Sequence, residues 1–209
     1  MKHKKKFHVL FAAILFLLFS CDTEKPLFLP EYTKIDLVIL NGQVLDGLGS
    51  EAIRADVVIV DDSIVFIGES GFSAREMRTR ITRTIDAGGR VISPGFIDLH
   101  SHGNPLETPD FENFLAMGVT TITLGQDGDS PEVNDLNDWL QAVAEQGLAP
   151  NLAMFVGHGT LRNISGIGRD ANPDKQALDK MLATLNDTLE YTFGLSSGLE
   201  YNPGLHAPA

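Results

Sequence analysis

The sequence predicts an α/β protein in two parts: short strands and tight turns over residues 35–93, then strands alternating with helices over residues 94–209. Three observations carry this expectation. Ile35–Leu40, Ala55–Val60 and Ile64–Gly68 are short runs rich in β-branched residues, punctuated by Asn41-Gly42, Gly47 and Asp61-Asp62-Ser63, the pattern of strands joined by hairpins. Beyond residue 102, apolar runs of strand length alternate with amphipathic stretches, the mark of a parallel sheet with helical crossovers. Between the two, Pro94-Gly95-Phe96-Ile97-Asp98-Leu99-His100-Ser101-His102 brings two histidines to the end of an apolar segment.

The first twenty residues stand apart. Lys2, Lys4, Lys5 and Lys6 precede an apolar run from Phe7 to Phe19, the length of a secretory signal core and short for a spanning helix. The run ends in Ser20-Cys21, which resembles the bacterial lipoprotein processing box, so residues 1–20 are expected to be a signal peptide. Cys21 would then carry lipid, with residues 21–34 as a tether. As the single cysteine, it excludes an internal disulfide. Removing the four leader lysines from a net charge of −12 leaves −16 on the rest. Such a surface repels phosphate backbones, which argues against nucleic acid as a partner and leaves the Cys21 lipid as the route to a membrane.

In the first part, Asn41-Gly42 lies between apolar runs and predicts a hairpin turn, and Thr84–Ile92 adds a strand and turn. In the second part, Pro94-Gly95 opens a strand that runs through the histidines, with Phe96, Ile97 and Leu99 suiting burial on both faces. Pro109–Met117 is expected to be a helix stopped by Gly118, and Val119–Leu124 a second strand. Ser130-Pro131-Glu132 reads as a helix start, with Val133, Leu136, Leu140, Val143 and Ala144 at helical spacing and Trp139 packing against the core. Leu152–Val156, Asp174–Leu189 and Thr192–Leu199 follow as strand, helix and fourth strand.

Strand parity places the candidate chemistry. His100 and His102 would point the same way about 7 Å apart, and neutral imidazole is a good ligand for zinc. In strand two, Thr121, Thr123, Gly125 and Asp127 share a face, so Asp127 reaches the same rim as a third ligand or as a turn residue beside Gly128. In strand four, Gly194, Ser196, Gly198 and Glu200 share a face. His158 stands in a glycine-rich stretch and reads from the residues alone as a turn histidine. Arg162 suits either a substrate carboxylate or a structural ion pair, and His206 reads as a loop residue.

The His-x-His segment resembles the first barrel strand of the metal-dependent amidohydrolase superfamily. Gly118-Val119-Thr120-Thr121, Gly157-His158-Gly159-Thr160-Leu161-Arg162 and Gly194-Leu195-Ser196-Ser197-Gly198-Leu199-Glu200-Tyr201-Asn202-Pro203-Gly204 resemble its N-acyl-D-amino-acid deacylase (D-aminoacylase) branch. The resemblance implies the first half of a TIM-like (β/α)8 barrel over residues 94–209, about four βα units, preceded by part of a small β-sandwich over residues 35–93. It implies hydrolysis of N-acyl-D-amino acids or a related amide by metal-activated water, with one or two divalent ions, zinc first.

On that resemblance His100, His102, Asp127 and Glu200 are candidate metal ligands, Glu200 as a bridging carboxylate. His158 is the candidate catalytic residue, and Arg162 and Tyr201 are candidate substrate contacts. The branch usually reads Asn-Cys-Gly where this sequence has Gln126-Asp127-Gly128, so a carboxylate stands in the thiolate's place. Two further histidine ligands and a late aspartate belong to strands beyond those encoded here. The expectation is therefore a fragment, inactive or unstable without the other half of the barrel, with its first and fourth strands as open apolar edges. A non-catalytic lipoprotein remnant, or a dihydroorotase-like or dipeptidase-like hydrolase, is the alternative. The leader implies an exported lipoprotein, periplasmic or anchored at an outer membrane or cell surface.

Overall fold

A computed structural model describes residues 34–133 and 135–208; the leader, Cys21 and most of the tether lie outside them. The chain divides into two compact units, with the boundary between Pro94 and Gly95. Among the described residues no helix is long and apolar enough to cross a membrane.

The first unit contains β1 (Ile35–Val44), β2 (Ile53–Val60), β3 (Ser63–Gly68), α1 (Ala74–Thr79), β4 (Ile81–Asp86) and β5 (Val91–Ile92). They form one five-stranded sheet in the order β3-β2-β1-β4, with β5 continuing along β1 beyond β4. Val57 and Val58 are adjacent, so they point to opposite faces. Val58 joins Ile35, Val38 and Ile81 in one core, while Val57 joins Val44 and Ala55 in another. Among the described residues this part is a single sheet rather than two facing layers.

Asn41-Gly42 does not turn a hairpin. β1 runs straight through it, with Asn41 at φ 58° and a register shift against β2 between Ile39 and Gly42. Asparagine tolerates the left-handed region, and its groups are satisfied from both neighbouring strands. Its N–H donates to Asp56 Oδ1 at 2.9 Å, its side-chain amide to Asp86 Oδ1 at 3.0 Å, and its carbonyl accepts from Gly89 N at 2.8 Å. The bulge lets β1 pair first with β4 and then with β5. The hairpin is instead the β2–β3 turn, with Asp61 at φ 52°.

The second unit contains β6 (Phe96–Asp98), α2 (Glu112–Ala116), β7 (Val119–Leu124), α3 (Leu136–Gln146), β8 (Asn151–Met154), β9 (Val156–Gly157), α4 (His158–Ser165), α5 (Lys175–Thr188) and β10 (Leu195–Ser196). β6, β7 and β8 pair in parallel, as do β9 and β10. Phe155 interrupts β8 and β9 without ending the ladder: its N–H reaches Leu124 O at 2.9 Å, and Val156 N reaches Gly194 O at 2.9 Å. The parallel strands therefore lie side by side in chain order with helices between them, as the alternating pattern predicts. Phe111, Val119, Ile122, Leu124, Leu136 and Met154 form the core, and Trp139 packs against it.

Several local expectations give way. β6 is three residues long, pairs among the described residues with β7 alone, and leaves Phe96, Ile97 and Leu99 60–71% exposed, so it is an edge rather than a doubly buried strand. α3 starts five residues after the Ser-Pro-Glu signal because Asp135 caps it, accepting from Asn137 N and Asp138 N. The Ser130 hydroxyl is used elsewhere, accepting from Gly157 N at 3.0 Å. The glycine-rich stretch around His158 is the first turn of α4 rather than a loop. The fourth strand is reduced to Leu195–Ser196.

Candidate metal centre

Both ligand-bearing segments are bends at the carboxyl ends of parallel strands, where α/β proteins place their chemistry. β6 ends at Asp98, whose Oδ1 accepts from His100 N at 3.0 Å and curls the chain. Ser101 N then donates to Thr123 O at 3.1 Å, pinning the bend against β7. The histidines thus leave from a turn, not from a strand as the spacing predicts, yet their Nε2 atoms still meet, 3.2 Å apart with ring planes tilted by 57°. β7 ends in Gly125-Gln126-Asp127-Gly128, with Gly125, Asp127 and Gly128 at φ 83°, 57° and 76°. Asp127 Oδ2 lies 3.2 Å from each histidine Nε2.

Three donor atoms therefore form a triangle with equal 3.2 Å sides. Ligands held about 2.0 Å from zinc at tetrahedral angles lie about 3.3 Å apart, so this triangle matches one face of a zinc tetrahedron. Two imidazoles and one carboxylate are also a chemically suitable set, with nitrogen donors for zinc and an anion to offset its charge. The three side chains are 58%, 63% and 37% exposed, which leaves the fourth position open to solvent. Among the described residues this is the one cluster of three or more His, Cys, Asp or Glu ligand atoms able to hold an ion.

Glu200 is not in the triangle; it is exposed in the turn after β10, next to Tyr201, which is 57% exposed. His158 opens α4 half-buried, and its Nδ1 is buried with no partner among the described residues. Burial first, and the nearby Arg162 charge second, hold its pKa below the ordinary histidine value, so it stays neutral near pH 7. Arg162 is 3% exposed, with Nε donating to Gly168 O at 2.8 Å and Nη2 to Asp170 O at 2.6 Å. Its guanidinium braces the loop after α4. His206 hydrogen-bonds Asn202 at 2.9 Å within its own loop.

Two residues that the sequence did not single out hold the site together. Gln126 Nε2 donates to Leu99 O at 2.8 Å and to Thr123 Oγ1 at 3.1 Å, tying the aspartate turn to the peptide before His100. Ser196 Oγ bonds both Gly125 O and Gly128 N. Only their place beside Asp127, and the inward parity of Ser196, offered a signal.

No protein-family model matches the chain. It is 34% identical over 197 residues to the N-acyl-D-glutamate deacylase of Alcaligenes xylosoxydans xylosoxydans, covering 82% of this chain and 38% of that protein. Among solved structures it matches N-acyl-D-glutamate deacylase from Bordetella bronchiseptica, complexed with zinc and a phosphonate mimic of the tetrahedral intermediate, at 30% identity and a TM-score of 0.75. It also matches a D-aminoacylase with a binuclear metal centre, activated by one metal and attenuated by the second, at 28% identity and a TM-score of 0.71. Both matches cover 83% of this chain and 40% of the solved one. The chain thus spans about two fifths of the length of the relatives it matches.

Proposed function

We propose that this chain, a homologue of the N-acyl-D-amino-acid deacylases of the amidohydrolase superfamily, is part of a metal-dependent hydrolase cleaving the amide bond of N-acyl-D-amino acids or a related N-acyl compound. The observation that carries the reading is the 3.2 Å triangle of His100, His102 and Asp127. A divalent ion bound there, zinc first, supplies Lewis acidity and a readily deprotonated water. His100, His102 and Asp127 would hold it, and the Asp127 carboxylate would offset part of its charge. His158, neutral near pH 7, offers the substrate a hydrogen-bonding group. Glu200 and Tyr201, exposed side by side after β10, are proposed as a ligand for a second ion and as a substrate contact; their support is the resemblance of the Gly194–Gly204 segment to the deacylase branch. The consecutive parallel strands of the second unit favour half of a TIM-like barrel; for the first unit, a place in a sandwich is proposed on the resemblance to the deacylase branch. The lysine-rich apolar leader and Ser20-Cys21 support an exported, lipid-anchored protein, which palmitate labelling lost in C21A would test.

The activity test is release of free amino acid from N-acetyl-D-glutamate, N-acetyl-D-aspartate and their L enantiomers. Hydrolysis of D substrates that a chelator abolishes and zinc restores supports the reading. In a full-length version that carries the rest of the barrel, hydrolysis insensitive to chelator, or none across the panel, contradicts it.

A further inference from the structure

We propose that Ser196 is a positioning residue for Asp127: its hydroxyl clamps the left-handed turn that carries the carboxylate to the two histidines. The inference rests on the metal-site reading above. The Ser196 hydroxyl donates to Gly125 O and accepts from Gly128 N at 3.1 Å. A serine hydroxyl has one proton and two lone pairs, so this one side chain spends its proton and a lone pair on the two ends of the same four-residue turn. Among the described residues no other side chain bonds both ends.

Gly125, Asp127 and Gly128 all have positive φ, a region that glycine enters freely and aspartate at a small cost, so bonds to the ends of the turn help to fix where the carboxylate points. Asp129 N→Gln126 O, and Gly159 N and Thr160 N on Gly128 O, secure its far side. The near side rests on β10. A Cβ at Gly198 would collide with the Asp127 carbonyl, and one at Gly128 would come within 2.7 Å of Gly198 N. The backbone after β10 thus lies directly against the turn, and a hydroxyl on a one-carbon stem reaches both of its ends. If that bridge is lost, the turn can relax about Asp127, and Oδ2 leaves its 3.2 Å places beside the histidines.

The test is competitive zinc titration of the whole 209-residue chain against a chromophoric chelator, with melting of the metal-free protein measured alongside. S196A is expected to weaken zinc about 10- to 100-fold, the usual cost of losing a group that orients a ligand. S196T keeps the hydroxyl and is expected to bind close to wild type, even if S196A proves poorly folded. In a D127A background S196A should cost nothing further, because its effect runs through Asp127. Equal affinity of S196A and wild type, equal losses in both backgrounds, or a threonine variant as weak as the alanine one would each overturn the inference. A wild-type chain that binds no zinc would instead remove the metal reading on which it stands.

Discussion

Asp127 in the second unit is placed unlike the aspartates of the first, although Asp98, Asp135 and Asp174 of the second unit also complete turns and caps. In the first, Asp36 accepts from Asp61 N, Asp56 from Asn41 N and from the Ser70 amide and hydroxyl, and Asp86 from Asn41 Nδ2 and Gly88 N. Each of those carboxylates faces N–H or O–H protons and completes a turn or bulge. Asp127 Oδ2 instead lies 3.2 Å from two imidazole nitrogens that are also 3.2 Å from each other. A carboxylate ringed by N–H and O–H donors serves the backbone around it, whereas one grouped with two imidazole nitrogens within 3.2 Å offers a set of atoms that could hold a cation. The contrast separates structural acids from a ligand without appeal to exposure, since both kinds are partly exposed.

The largest expected effect is on zinc affinity. D127A should weaken it by more than about 100-fold, beyond what losing an orienting group costs, whereas D56A should leave it unchanged; equal effects in a chelator competition would break the contrast. Next, zinc at about 100 times its Kd should stabilise wild type and D56A by about 2.7 kcal/mol, seen as a raised melting temperature, and should leave D127A unshifted. D56A should in turn cost about 1–3 kcal/mol in denaturant unfolding, since the Asn41 and Ser70 donors lose their acceptor. The smallest effect concerns acid. The Asn41 amide and then the Gly88 N–H hold Asp86 below the usual carboxylate pKa. Its stabilisation is therefore complete above the unfolded carboxylate value and lost as pH falls through the folded one. Melting followed from pH 5 to pH 2 should fall less steeply in D86N than in wild type.

The sequence reported periodicity well and tertiary context poorly. Strand and helix alternation and the helix expected over Asp174–Leu189 follow from local pattern, the helix proper running Lys175–Thr188, as does the packing of Trp139. Asn41-Gly42 has hairpin chemistry, yet pairing of β1 with three strands turns the same left-handed preference into a bulge. Ser130 has cap chemistry, but Gly157 N takes its hydroxyl and Asp135 caps α3 instead. Phe96, Ile97 and Leu99 have the composition of a buried strand, and composition does not say how many neighbours a strand has. At the site, parity foresaw that His100, His102 and Asp127 share a rim, although the histidines leave from a bend fixed by Asp98. Ser196 was visible only as an inward-facing residue, because its partners lie about seventy positions away and their carbonyl and amide carry no sequence signal.

The most direct test of the account is X-ray absorption at the zinc edge on the zinc-loaded 209-residue chain. The expected spectrum shows light N/O ligands near 2.0 Å with the outer-shell scattering of two imidazoles, and D127A removes one oxygen while keeping the imidazole signal. Zinc with no imidazole scattering, or a spectrum unchanged by D127A, would contradict the claim that His100, His102 and Asp127 form the metal centre.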